Sequence, residues 1–221
     1  MVGVRDVTEL INNPPFELSA ADKESLLTRE EDYIPHTWEE IKQVIADGDM
    51  SVLKRGPTDL RNYILWTRDT RAKYGSATNF ILHERLQWGT PVDGKLSCLD
   101  PVPFANPADY RVLRNDWPYG TTPDITHLVV WLRTPLAVDE EGDPTPESRQ
   151  RITDFLKKTF GVSGDGQGDD RLLWFKNRQK WQSVRAIEHI HVLLRGADDA
   201  LITKITGQTQ DDMNCRAYVP E

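Results

Sequence analysis

Hydrophobic spacing divides the chain into a helical half and a half built around strands. Residues 1–35 hold the Pro14-Pro15 pair and the Glu30-Glu31-Asp32 run, and they read as a peripheral N-terminal segment. Thr37-Trp38-Glu39-Glu40 then fits a capping box, in which a Thr oxygen and a Glu carboxylate satisfy the open N–H groups of a first turn. Trp38, Ile41, Val44 and Ile45 form the apolar stripe of that helix, and Gly48 supplies its stop. A second helix is predicted from Pro57, with Leu60, Tyr63, Ile64 and Thr67 on one face and Gly75 at its end. A third is predicted from Ala77 to Trp88, with Phe80, Ile81 and Leu86 inward and Gly89 as terminator.

The periodicity changes after residue 90. Residues 90–109 are Pro-rich and read as loop. His127–Arg133 is a short apolar run that predicts a buried strand. Beyond the acidic loop Asp139–Asp143, Thr145-Pro146-Glu147 opens a helix with Ile152, Phe155, Leu156 and Phe160 as its stripe and Gly161 at its end. Gly161–Asp170 reads as a connector, since no Gly-Lys-Ser/Thr follows its glycines to make a phosphate loop. Leu172–Lys176 and Ser183–Leu194 predict two strands that form a hairpin around Asn177–Lys180, and Asp198–Ile205 predicts a last helix. The expected class is α+β, with a helical N-terminal half followed by a small mixed β-sheet with a crossing helix. Residues 36–221 are expected to form a single α+β catalytic domain after the 1–35 segment.

Composition narrows the class. Apolar residues make up 38% and charged residues 28% of 221, an ordinary globular balance. No apolar run reaches the roughly 18 residues of a membrane helix, and the N-terminus lacks a signal-peptide core. With only Cys98 and Cys215 there is no disulfide framework, so a cytoplasmic location and no membrane partner are expected. The net charge of −8 lies wholly in residues 1–50, which hold twelve acids and four bases. Arg171–Ile187 runs the other way, with five bases and no acid, and offers a local basic face to RNA.

Candidate chemistry concentrates in Glu188-His189-Ile190-His191-Val192. Strand alternation puts His189 and His191 on one face and Glu188 on the other. Two imidazoles side by side suit a base and acid pair or two metal ligands; the alternative is a pair of neutral core histidines. A metal would need a third ligand such as His127, His83 or a carboxylate, and no spacing selects one. No metal or cofactor is therefore expected. Arg114-Asn115-Asp116-Trp117-Pro118-Tyr119-Gly120 has the density of a binding loop, although a tight turn with Arg114 paired to Asp116 would explain it too. In Trp174-Phe175-Lys176-Asn177, Lys176 suits an anion and Trp174 a stacked ring, or the segment is simply an amphipathic strand end. Glu84-Arg85-Leu86-Gln87-Trp88 reads as helix surface with a role open to Arg85. Gly161-Val162-Ser163-Gly164-Asp165 is not a serine-nucleophile elbow, and Cys98 has no evident base nearby.

Taken in order, these segments together with Pro35–Ile41, Lys54-Arg55, Asp59–Tyr63, Tyr74–Ser76, His127–Trp131 and Ser183-Val184-Arg185 resemble the fungal family of N-acetylglucosamine-induced proteins, over roughly residues 34–195. That family includes the arginine-containing cyclodipeptide synthases. The resemblance implies an enzyme that joins two aminoacyl groups from charged tRNAs, one of them arginyl-tRNA, into a diketopiperazine. Aminolysis of an ester needs a base for the ammonium proton, which His189 or His191 would supply. An oxyanion donor would be Asn115, Asn177 or Lys176. A carboxylate for the guanidinium would be Glu188 or Asp116. Substrate contacts would fall on Arg114, Trp117, Tyr119 and Trp131, and on Trp174, Asn177, Arg85 and Ser183. The alternatives are a histidine-dependent nucleotide hydrolase or transferase, for which the third histidine of the histidine-triad pattern is missing, and a non-enzymatic N-acetylglucosamine-response regulator.

Overall fold

The computed structural model describes residues 7–161, 170–178, 184–213 and 218. The chain is α+β and divides into two compact units. The first takes in the chain to Ser76 with Asp116–Pro123 and the segment from Gln210; the second is Ala77–Asn115 with Asp124–Thr209.

The first unit is helical: α1 (Val7–Asn12), α2 (Ala20–Leu27), α3 (Trp38–Asp47) and α4 (Pro57–Tyr74). The expected caps are present. Thr37 and Glu40 form the reciprocal capping box of α3, which ends at Gly48 in the left-handed region; α4 has Pro57 in its first turn and Gly75 at its end. The segment expected to be peripheral is instead packed. Ser19 and Asp22 make a second capping box, Leu10, Leu18 and Leu26 are buried, and Ser25 Oγ donates to Arg55 O at 2.6 Å. Burial of those three leucines offsets the ordering of short helices with little intrinsic stability.

The Trp117–Gly120 stretch runs through this unit. Arg55 Nε donates to Trp117 O at 3.1 Å, and Gly120 exchanges backbone bonds with Lys54 and His36. A Cβ on Gly120 would lie 2.0 Å from Tyr33 Oη, so only glycine fits. Burial, then Asp59 and Glu30, pushes the Tyr33 phenol up to about 12, and its hydroxyl donates to Gly120 O at 3.1 Å.

In the second unit, α5 (Ala77–Phe80) widens into a π-helix over Ile81–Leu86. This stretch was expected to be one helix ending at Gly89. It ends earlier, at Gln87 in the left-handed region (φ 55°), where the Trp88 N–H reaches Leu82 O at 3.1 Å. Four strands follow: β1 (Tyr110–Arg114), β2 (Ile125–Leu132), β3 (Leu172–Phe175) and β4 (Glu188–Arg195), in the order β1-β2-β4-β3. Two helices complete the unit: α6 (Pro146–Phe160), capped by Thr145 and Gly161, and α7 (Asp199–Thr206).

The sheet is antiparallel throughout, not mixed. The crossing helix α6 does join two strands of the same direction, β2 and β3, but β4 inserts between them and pairs antiparallel with both. β1 was not expected. Its backbone pairs with β2 from Tyr110↔Leu132 to Arg114↔Leu128. One sheet face, with Val112, Leu128, Val130, Leu132, Ile190, Val192 and Leu194, packs on Ile152, Phe155, Leu156 and Phe160 of α6 and Ile202 of α7. That is the core of the unit, and it leaves the opposite face to other residues.

Candidate active site

Alternation along β2 and β4 sends His127, Val129 and Trp131, and His189, His191 and Leu193, to the face away from α6. The register sets Trp131 opposite His189 and Val129 opposite His191, while Phe175 of β3 lies opposite His191 from the other side. These pairs stack. The Trp131 and His189 rings are 4.8 Å apart at 35°, and Phe175 and His191 are 4.9 Å apart at 12°. His127, His189 and His191 are all at most 8% exposed.

The histidines are tied together by amides at the ends of neighbouring strands. Asn115 follows β1, and its N–H donates to His127 O at 2.9 Å; Asn177 lies two residues past Phe175. Each turns its NH2 toward an imidazole. Asn177 Nδ2 donates to His191 Nε2 at 3.3 Å. His191 then carries its proton on Nδ1, which donates to His127 Nε2 at 3.0 Å. The Asn115 Nδ2 lies beside the same ring, 3.2 Å from His127 Nε2 and 3.4 Å from its Nδ1. The result is a chain Asn115–His127–His191–Asn177 in which a second proton on His191 would face the Asn177 NH2.

His189 stands beside this chain, its ring 5.4 Å from His191 and nearly perpendicular to it. Its Nδ1–H donates to Ile187 O at 2.8 Å, which fixes the tautomer and leaves Nε2 as a lone-pair acceptor with no hydrogen-bond partner among the described residues. Burial holds the His189 imidazole below its ordinary value, against smaller pulls upward from the Ile187 carbonyl and Glu188. A neutral ring with one open basic nitrogen is the form a general base needs.

Other residues named from the sequence take different places. Glu188 projects from the α6 face, where it meets Lys176 Nζ at 3.3 Å and accepts from Leu136 N at 3.2 Å. Trp174 also packs with the α6 core, beneath Arg149. Arg114 does not pair with Asp116. It is 2% exposed on the α6 face, with its guanidinium on Asp199 Oδ1 at 2.5 Å and on Gln208 O at 3.2 Å, and it pins α7 to the sheet. Arg85 is half-buried in the π-helix. Asp116, Trp117 and Tyr119 belong to the first unit, where Trp117 is buried against Tyr63, Trp66 and Tyr218, and Tyr119 lies 5.5 Å from the Arg55 guanidinium. Ser183 lies outside the described residues, as do most of the Gly161–Asp170 connector and the Asn177–Lys180 turn beyond Arg178.

His127 was considered only as a metal ligand, yet it is the centre of the imidazole chain. Its even spacing from Trp131 was the available signal, because both share a strand face. Among the described residues no group of three His, Cys, Asp or Glu side chains is arranged to hold a metal ion. Nor is any helix among them long and apolar enough to cross a membrane.

The chain is similar to several known proteins. It is 29% identical over 189 residues to N-acetylglucosamine-induced protein 1 of Candida albicans, covering 77% of this chain and 72% of that protein. It is 28% identical over 189 residues to the Saccharomyces cerevisiae protein YPL067C, which is described as uncharacterized, covering 83% of this chain and 90% of the relative. It also resembles the crystal structure of HTC1, with a TM-score of 0.57 and 26% identity over 84% of this chain and 98% of that one. Residues 37–195, which hold both amides and all three buried histidines, match the family described as protein of unknown function DUF3605, and the chain belongs to that family.

Proposed function

We propose that the protein is an arginine-containing cyclodipeptide synthase that draws arginine from arginyl-tRNA and a second residue from another aminoacyl-tRNA, in the cytoplasm. The observation that carries this reading is the open Nε2 of His189, a neutral imidazole in a solvent-excluded setting beside the amide-anchored histidine pair. The resemblance drawn from the sequence motifs is what suggests aminoacyl transfer as the use of such a base.

In the proposed reaction, the α-ammonium of one aminoacyl ester gives a proton to His189 Nε2. The freed amine attacks the ester carbonyl of the second aminoacyl-tRNA. The tetrahedral intermediate collapses, the C–O bond to the terminal ribose breaks, the departing oxygen takes the proton from His189, and the new amide nitrogen then gives up its extra proton to the neutral ring, which passes it to water. The same sequence within the resulting dipeptidyl-tRNA closes the ring and releases the tRNA whose aminoacyl group made the first attack. The His127–His191 chain is a positioning device: it fixes the ring that flanks His189.

The test is reconstitution. Purified protein given arginine, a mixture of amino acids, tRNA, synthetases and ATP should yield an arginine diketopiperazine by mass spectrometry. Treatment with RNase beforehand should remove the product. His189→Gln should lower turnover by about 10²–10⁴-fold, the usual worth of a general base. A product that survives RNase would overturn the tRNA-dependent reading. Absence of any product from folded protein would favour a non-enzymatic role, in keeping with the induction named for the Candida relative.

A further inference from the structure

Just past the end of β2, on the same face as the histidines, lies an arginine that the proposed reaction does not use. Arg133 N donates to Asp109 O at 2.8 Å, which extends the β1–β2 ladder one residue beyond β2. By alternation Arg133 shares the face of Trp131, and it is diagonal to His189, which pairs with Trp131. Diagonal neighbours in a sheet are about 7–8 Å apart.

The guanidinium is held in place on two sides. Nη1 donates to Ser97 O at 2.9 Å, and the plane lies over the Trp88 ring at 4.9 Å. Both supports are themselves fixed. The buried Asp109 carboxylate accepts from Leu99 N and Asp100 N at 2.8 Å each, and so anchors the loop that carries Ser97. Trp88 follows the left-handed Gln87 that ends the π-helix, a helix type that recurs at functional sites.

The remaining edge is open. Among the described residues the buried Arg133 Nε has no hydrogen-bond partner and no acceptor engages Nη2. A buried donor without an acceptor is destabilising and calls for an explanation. The Nε–Nη2 edge is the side of an arginine that takes two oxygens of one anion in parallel bonds.

We propose that Arg133 and Trp88 form an oxyanion site for a phosphate ester at the edge of the histidine face. On the tRNA-dependent reading, which this inference rests on, the anion is a phosphodiester near the 3′ end of the acceptor strand. A free nucleotide would present the same chemistry, so the experiment separates the two.

Wild-type protein is titrated with inorganic phosphate, with AMP and with an uncharged minihelix RNA ending in CCA. The Arg133 Nε–H signal is followed by NMR, and RNA affinity by fluorescence anisotropy. The Arg133 Nε–H resonance should shift with phosphate and with the minihelix. Arg133→Lys keeps the charge and loses the fork, so it should weaken minihelix binding about tenfold or more and lower the salt slope of binding by about one. A shift with phosphate and AMP but no minihelix binding would keep the oxyanion site and sink the tRNA-dependent reading. An Arg133 Nε–H signal unmoved by all three, or Arg133→Lys protein that folds and binds the minihelix as wild type does, would overturn the site. Should Arg133→Lys not fold, the wild-type NMR titration alone decides.

Discussion

His189→Gln should change how stability depends on pH, and the sign of the change follows from the ring's burial. The His189 imidazole has its pKa lowered in the folded chain, first by burial, from an unfolded value of 6.5. The folded state therefore binds this proton less well than the unfolded state does. The group's contribution is fully present above pH 6.5 and is lost as the pH falls below it toward the folded pKa. In that window the loss approaches about 1.4 kcal/mol per pH unit. For a single proton this slope is the upper bound, reached only between the unfolded value of 6.5 and the lowered folded value.

Glutamine carries no titrating proton, and its amide can still donate toward Ile187 O. Every other ionisable group is common to both proteins and drops out of the difference. Urea unfolding of wild type and His189→Gln at half-unit steps from about pH 7.5 to about pH 5.0 would measure it. The stability difference between the two should shrink on acidification below pH 6.5, by no more than about 1.4 kcal/mol per pH unit. A difference that stays flat across this range would refute the claim that His189 is held neutral by burial. The same titration predicts that any activity using His189 as base persists on the acid side of pH 6.5, because the folded ring stays unprotonated there.

Two further outcomes follow from the geometry. Asn177→Leu removes the donor to His191 Nε2 at a position only 4% exposed, and should cost about 1–3 kcal/mol in urea unfolding, the penalty for a stranded buried acceptor; an unchanged midpoint would show that the amide is dispensable to the chain. Lys176→Met leaves Glu188 buried on the α6 face without its cation and should cost about 3–5 kcal/mol, whereas Lys176→Met with Glu188→Leu should recover most of it; a double variant no more stable than the single would count against a buried pair.

Much of this molecule was legible in local pattern. The Thr37–Glu40 capping box, Pro57, Gly48, Gly75 and Gly161 mark helix ends within a residue or two, because a cap is a bond between positions three or four apart and needs nothing distant. The parity of His189 and His191 against Glu188 is likewise a property of a strand by itself. β1 escaped notice because Tyr-Arg-Val-Leu-Arg reads as polar, and Arg114 becomes a core residue only through Asp199 and Gln208, some 85–94 residues away.

What no stretch of sequence fixed was the register between strands. One residue of slip between β2 and β4 would turn His127 away from His191 and dissolve the imidazole chain. The choice between His189 and His191 as base is also a tertiary matter. Both lie on the same strand face with similar burial, but the Asn177 amide occupies His191 Nε2 while His189 Nε2 has no partner among the described residues. The sequence determined which residues share a face, since alternation is intrinsic to the backbone. Only the folded sheet decided which of them meet, since that depends on hydrogen bonds between strands far apart in the chain.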